Sequence, residues 1–172
     1  MLDRFIKLNP SSPAMDYALY LKGIINFNDD LGLFGKLASQ DITERDQQAS
    51  RDALLAFSEL VERFPESRYA EDAAIRVDYI TNALAAYEVH VARYYYNRGA
   101  YMAAANRAQR AIADYPHAPS GEEALHLMTQ AYDKLDLPEL RKDSERVLLL
   151  NYPNSRYLAG NEPVKKSWWK FW

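Results

Sequence analysis

Apolar positions along the chain recur at intervals of three and four, the spacing of one helix face. In ASRDALLAFSELVERFP the face is Ala53, Phe57, Leu60 and Val61. In NRGAYMAAANRAQRAIADYP it is Ala104, Ala108, Ala111 and Ile112, and the small alanines let two helices approach closely. In LPELRKDSERVLLLNYP it is Leu140, Val147 and Leu148. Leu84, Tyr87, Val91 and Tyr95 form another core stripe, and Leu125, Met128 and Tyr132 a further one. The pattern predicts helices over 12–28, 45–64, 99–114, 120–134 and 138–151. A long helical stretch covers 69–97, as one helix or as two broken near Thr81-Asn82. A connection over 29–44 joins the first two helices. The opening LDRFIKL reads as the end of a helix whose partner lies upstream, so the chain is expected to be a fragment of a longer protein.

What separates the helices repeats. FPESRY at 64–69 returns as YPNSRY at 152–157, with looser copies YPHAPS at 115–120 and LNPSSP at 8–13. The prolines, Pro10, Pro65, Pro116 and Pro153, lie 55, 51 and 37 residues apart. A tetratricopeptide (TPR) unit repeats about every 34 residues and ends on a proline. The last interval is close to one unit, and the others hold insertions. In each sextet the aromatic (Phe64, Tyr115 or Tyr152) plugs the end of a helix pair. The proline cannot extend the helix and biases its predecessor away from the α region. A following serine can cap the next helix. Ser120 with Glu123 three residues on fits a capping box. Asn97-Arg98-Gly99 reads as a helix-ending turn. The expected fold is all-α, a TPR-like helical-repeat solenoid of about three helix pairs over 1–157, followed by an aromatic and basic tail over 158–172.

Composition narrows the function. The 172 residues are 48% apolar, carry a formal net charge of −3, and contain no cysteine. A nucleic-acid binder needs a basic face, so no nucleic-acid partner is expected. No disulfide, thiolate metal site or thiol nucleophile can form. No apolar run reaches the roughly 18 residues of a membrane span. His90, His117 and His126 lack any metal-ligand spacing. No phosphate loop and no G-x-S-x-G occurs. Neither catalytic residues, nor a metal, nor a cofactor is expected.

Several segments together resemble the BamD family, TPR lipoproteins of the bacterial outer-membrane β-barrel assembly machinery. They are DYALYLKG at 16–23, the insertion over 32–46, FPESRYAEDA at 64–73 and AAYEVHVARYYYNRGAYMAAANRAQ at 85–109. Where the family often has Arg-Asp-Pro, this chain has Arg45-Asp46-Gln47. The resemblance implies a scaffold on the periplasmic face of the outer membrane. Such a scaffold binds the POTRA domains of BamA and accessory lipoproteins, and is anchored through an acylated cysteine upstream. Rival readings are a TPR adaptor for another cell-envelope protein, peptide or polysaccharide-synthesis partner, and a helical domain of a cell-wall enzyme.

Expected partner-binding residues follow. Arg107, in AAANRAQ, matches the arginine through which the resemblance implies pairing with an acidic residue of the last POTRA domain. Its alternative is an internal salt bridge to Asp114 or Glu145. Arg93, Tyr96 and Asn97 are expected to point away from the core, toward groove or solvent, and His126, Gln130 and Asp133 to line the groove. Phe34, in the insertion, covers the neighbouring repeat or meets a partner. Trp168 and Trp169, in KKSWWKFW, fold back on the last helix, anchor a protein partner, or sit at a membrane interface.

Overall fold

The computed structural model describes residues 2–34 and 47–158, without the side chains of 28–34. Among these residues there are seven helices and no strand: α1 (Leu2–Leu8), α2 (Met15–Phe34), α3 (Gln47–Arg63), α4 (Ala70–Asn97), α5 (Tyr101–Asp114), α6 (Gly121–Lys134) and α7 (Pro138–Asn151). The chain divides into two compact units, Met1–Leu84 and Ala85–Trp172. Two boundaries differ from expectation. α2 runs to Phe34 and takes in the start of the expected connection. Phe27, Leu31 and Phe34 keep helical spacing there, and the single Gly32 costs only about 1 kcal/mol in a helix. α4 is one helix, with Thr81 and Asn82 inside it. Both are mild helix formers, and Ile80 and Leu84 are buried on either side of them.

The four proline sextets share one main-chain geometry. Phe64 O accepts from Ser67 N–H at 3.0 Å, and Ser67 O from Ala70 N–H at 2.9 Å. The same two bonds join Tyr115, Ala118 and Gly121, then Tyr152, Ser155 and Leu158, then Asn9, Ser12 and Met15. Pro65, Pro116 and Pro153 thus stand at the exits of α3, α5 and α7. Tyr115 is buried, and Phe64 and Tyr152 are half-buried.

The serines act one step earlier than a helix cap. Ser12, Ser67 and Ser155 accept from the N–H two residues on, at 3.2, 3.3 and 3.1 Å, and so fix the turn that leads onward. Ser120 makes no such bond. Its backbone is already helical (φ −70°, ψ −7°), whereas a capping residue needs an extended one. Its buried Oγ finds no partner. The expected capping box is therefore absent, and Glu123 is used elsewhere.

In the first unit α2 packs on α3, and Phe57 and Leu60 are wholly buried. Gly23 makes this packing possible: a Cβ there would lie 2.4 Å from the Phe57 ring. Beside it, Asp72 accepts from Tyr20 Oη at 2.7 Å and from Arg76 Nε at 2.6 Å. The Arg76 hydrogen bond, then the Tyr20 one, holds the Asp72 carboxyl below its usual range.

In the second unit α4 and α5 meet at an alanine wall. Ala104, Ala105, Ala108 and Ala111 are all buried. Val89, Ala92, Ala108, Ala111, Ala124 and Leu127 form one core cluster. The expected stripe on α7 holds only in part. Leu148 is buried with Ser144, while Leu140 is exposed. Among the described residues no helix follows α7, and the helix it packs on is α6.

Two close turns close the hairpins of this unit. In the first, Ala100 N–H reaches Tyr95 O and Gly99 N–H reaches Tyr96 O. In the second, Leu137 N–H reaches Tyr132 O and Asp136 N–H reaches Asp133 O. Both are Schellman motifs, which place the residue after the cap in the left-handed region. Gly99 sits there at φ 77° and Asp136 at φ 54°.

Two substitutions test these contacts in urea denaturation. Gly23→Ala should destabilise by about 1–3 kcal/mol, because the buried Phe57 ring has nowhere to go. A wild-type midpoint would show that the ring can yield. Asp136→Gly should stabilise by about 0.5 kcal/mol by relieving left-handed strain. A lower midpoint would contradict it.

Candidate functional site

The second unit carries a face that starts from one buried carboxylate. The stripe Leu84, Val91 and Tyr95 on α4 passes through Glu88, which is 2% exposed. A charge so placed is costly unless it is paired. Its partner is Arg107 of α5, whose Nη1 donates to both carboxylate oxygens at 3.1 and 3.5 Å. Arg107 keeps a 20% exposed side chain, at the rim of the alanine wall. The alternative of an internal salt bridge for Arg107 is thus what the structure shows, with Glu88 as the partner in place of Asp114 or Glu145. Helix geometry explains the miss. The α4–α5 turn brings together residues nineteen apart in sequence, a pairing that spacing within one helix cannot reveal.

Around this pair the other expected residues separate. Arg93 is exposed and donates through Nε to Glu123 of α6 at 2.9 Å. Asn97 is exposed at the end of α4. Tyr96 points inward, contrary to expectation: it is half-buried, packs on the alanine clusters, and meets Tyr101 edge-on at 5.3 Å. The small alanines leave room for its ring. Tyr94 is the exposed member of the tyrosine triplet, with Arg98 5.3 Å from its ring centre.

His126 is half-buried and stacks on Tyr157 at 4.3 Å and 16°. It therefore packs inside its own helix pair. Tyr69 stacks on Tyr20 in the same way in the first unit, at 4.7 Å. Gln130 is half-buried on α6 and Asp133 is exposed, 3.8 Å from Arg141. Phe34 ends α2, and its side chain lies outside the described residues, as do Trp168 and Trp169. The structure thus brings Arg107, Arg93, Tyr96 and Asn97 to the α4–α5 hairpin and its α6 neighbour.

Sequence reasoning missed Glu88 and Tyr157. Glu88 had a signal: a carboxylate standing in an apolar stripe, and the sole acidic residue between Ala85 and Ala113. That interval holds Arg93, Arg98, Arg107 and Arg110, with Arg98 and Arg110 exposed. Since Glu88 is buried, the exposed charge of this interval comes from arginine, up to the exposed Asp114 that ends α5. Among the described residues no group of His, Asp or Glu could hold a metal ion.

Arg107→Glu should destabilise this unit by about 3 kcal/mol or more, since it strips a buried carboxylate of its partner and adds a like charge. Thermal and urea melts would measure it. A wild-type melt would show that Glu88 does not depend on Arg107.

Residues 1–148 match a family model described as YfiO, outer membrane lipoprotein. The chain is 48% identical over 172 residues to outer membrane protein assembly factor BamD of Neisseria gonorrhoeae. It is 49% identical over 174 residues to the same-named factor of Neisseria meningitidis serogroup B. In both comparisons 99% of this chain is covered, and it spans 64% of the relative's length. It is 35% identical over 170 residues to the BamD of Xylella fastidiosa strain Temecula1, covering 99% of this chain and 56% of that protein.

Proposed function

Because this chain belongs to the YfiO family of outer membrane lipoproteins, we propose that it is a non-catalytic scaffold of outer-membrane β-barrel protein assembly. It binds the periplasmic POTRA domains of BamA, and accessory lipoproteins, through its helix pairs. It works at the periplasmic face of the outer membrane, tethered by an acylated cysteine outside this 172-residue segment. Among the described residues no helix is long and apolar enough to cross a membrane. The observation that carries this reading is the near-complete coverage of the chain by relatives named as outer membrane protein assembly factors.

The arginine-rich 85–113 part of the α4–α5 hairpin supports it. Complementary charge speeds and orients docking more than it adds affinity, and arginine is enriched at such contacts. Arg107 is the proposed centre, where its planar fork suits a partner carboxylate. Arg93 and Asn97 flank it, Tyr96 backs it from the core side, and Gln130 and His126 extend it onto α6. Phe34, Trp168 and Trp169 are proposed as further contacts.

The test is capture of the full-length lipoprotein on immobilised BamA POTRA domains. Arg107→Lys keeps a cation facing Glu88 while losing the fork, so folding is spared. It should weaken capture about thirtyfold, as for loss of roughly 2 kcal/mol at an interface anchor. Equal capture by Arg107→Lys would remove Arg107 from the interface. No capture of the wild type would overturn the scaffold itself and favour an adaptor for another envelope partner.

A further inference from the structure

Glu88 is the one charged side chain among the buried described residues, and the repeat itself does not demand it. The two Schellman turns, at Gly99 and Asp136, stand 37 residues apart, as do Pro116 and Pro153. This register lays the α4–α5 hairpin onto α6–α7. Glu88 then corresponds to Leu125, and Arg107 to Ser144. Leu125 is 5% exposed and Ser144 is 5% exposed. The next hairpin therefore builds the same two positions without any charge. A buried ion pair is also weak as a source of stability, because well-packed neutral residues often serve equally well. Something other than the architecture is needed to account for the pair.

We propose that Glu88 is a positioning residue for Arg107. It holds the guanidinium at the rim of the alanine wall, so that a carboxylate on the partner meets an arginine already oriented. This rests on Arg107 being a partner contact, as proposed above. Nη1 is committed to Glu88, at 3.1 and 3.5 Å. A guanidinium carries five N–H donors in a rigid plane, so it can bridge two carboxylates. Glu88 cannot be displaced cheaply, since that would take from a buried carboxylate the cation it faces. The incoming acid therefore adds to the pair instead of replacing it. An arginine fixed beforehand loses less side-chain freedom on binding than one free to rotate.

Glu88→Gln and Glu88→Leu separate this role from a structural one. The second restores the residue type of the aligned position, Leu125. In the full-length protein, each should weaken capture by POTRA domains about two- to tenfold while leaving the thermal midpoint at or above that of Glu88→Ala. A partner-free readout accompanies this: ¹⁵N relaxation of the Arg107 Nε–H, ordered in the wild type and mobile in both variants. Wild-type capture by Glu88→Leu, or an Arg107 Nε–H that stays ordered without the Glu88 carboxylate, would overturn the proposal. If the wild type itself captures no POTRA domain, the interface reading falls. The relaxation result then still decides whether Glu88 orders Arg107.

Discussion

The main-chain carbonyl just before each proline accepts a hydrogen bond from three residues on, and the rest of the structure follows from that turn. Helix termini leave carbonyls without intrahelical partners. Here the residues Asn9, Phe64, Tyr115 and Tyr152 use theirs to start a tight two-step turn. The turn cannot drift into more helix, because the next residue is proline. It leads the chain into the following element, and in three of the four turns an aromatic side chain (Phe64, Tyr115 or Tyr152) stands at the junction. Tyr115 and Tyr152 adopt almost the same backbone, φ −136° and ψ 62° against φ −133° and ψ 67°. A repeat built this way needs similar turns more than similar helices. This is why α4, with 28 residues, and α6, with 14, can both belong to it.

Once the turns set the path, the distance between helices is governed by side-chain size. Ala104, Ala108 and Ala111 are buried completely or nearly so, and only small residues allow that approach. Small residues also bury little apolar area each, so the larger side chains nearby must supply it. Tyr96, Tyr101 and Tyr132 do this around the alanine wall. The first unit solves the same problem with one glycine and one phenylalanine, Gly23 under the Phe57 ring. In both units tyrosines keep a polar edge near the surface.

Much of this was legible in the residues. The sextets announced the turns, and Asn97-Arg98-Gly99 announced the first Schellman motif because glycine adopts positive φ freely. Asp136 takes the same place without that signature, and so that turn was silent in sequence. Ser120 failed as a cap because its motif is necessary for a capping box without being sufficient: the backbone must also be extended. The candidate site was half legible. Arg107 and Arg93 stood out by type, yet their partners Glu88 and Glu123 come from other helices, 19 and 30 residues away. Such pairs depend on how helices cross, which periodicity within one helix does not encode. Tyr96 was misplaced because its face was judged against α4 alone, whereas α5 and α6 wrap more of that helix.

Electrostatics then has unequal weight across the molecule. Lys142–Glu139 and Arg146–Asp143 on α7 are exposed pairs at helical spacing, and such pairs contribute about 0–1 kcal/mol. Removing one changes little. Glu88 and Arg107 differ in kind, because one member is sealed from water and the other reaches the surface. Breaking that pair strands a carboxylate in an apolar interior, an energy several times larger. The same asymmetry points outward. Under the proposed reading, a partner that presents an acid to Arg107 meets a cation already held by Glu88. Geometry and charge therefore single out the same edge of the α4–α5 hairpin, where the proposed contact is placed.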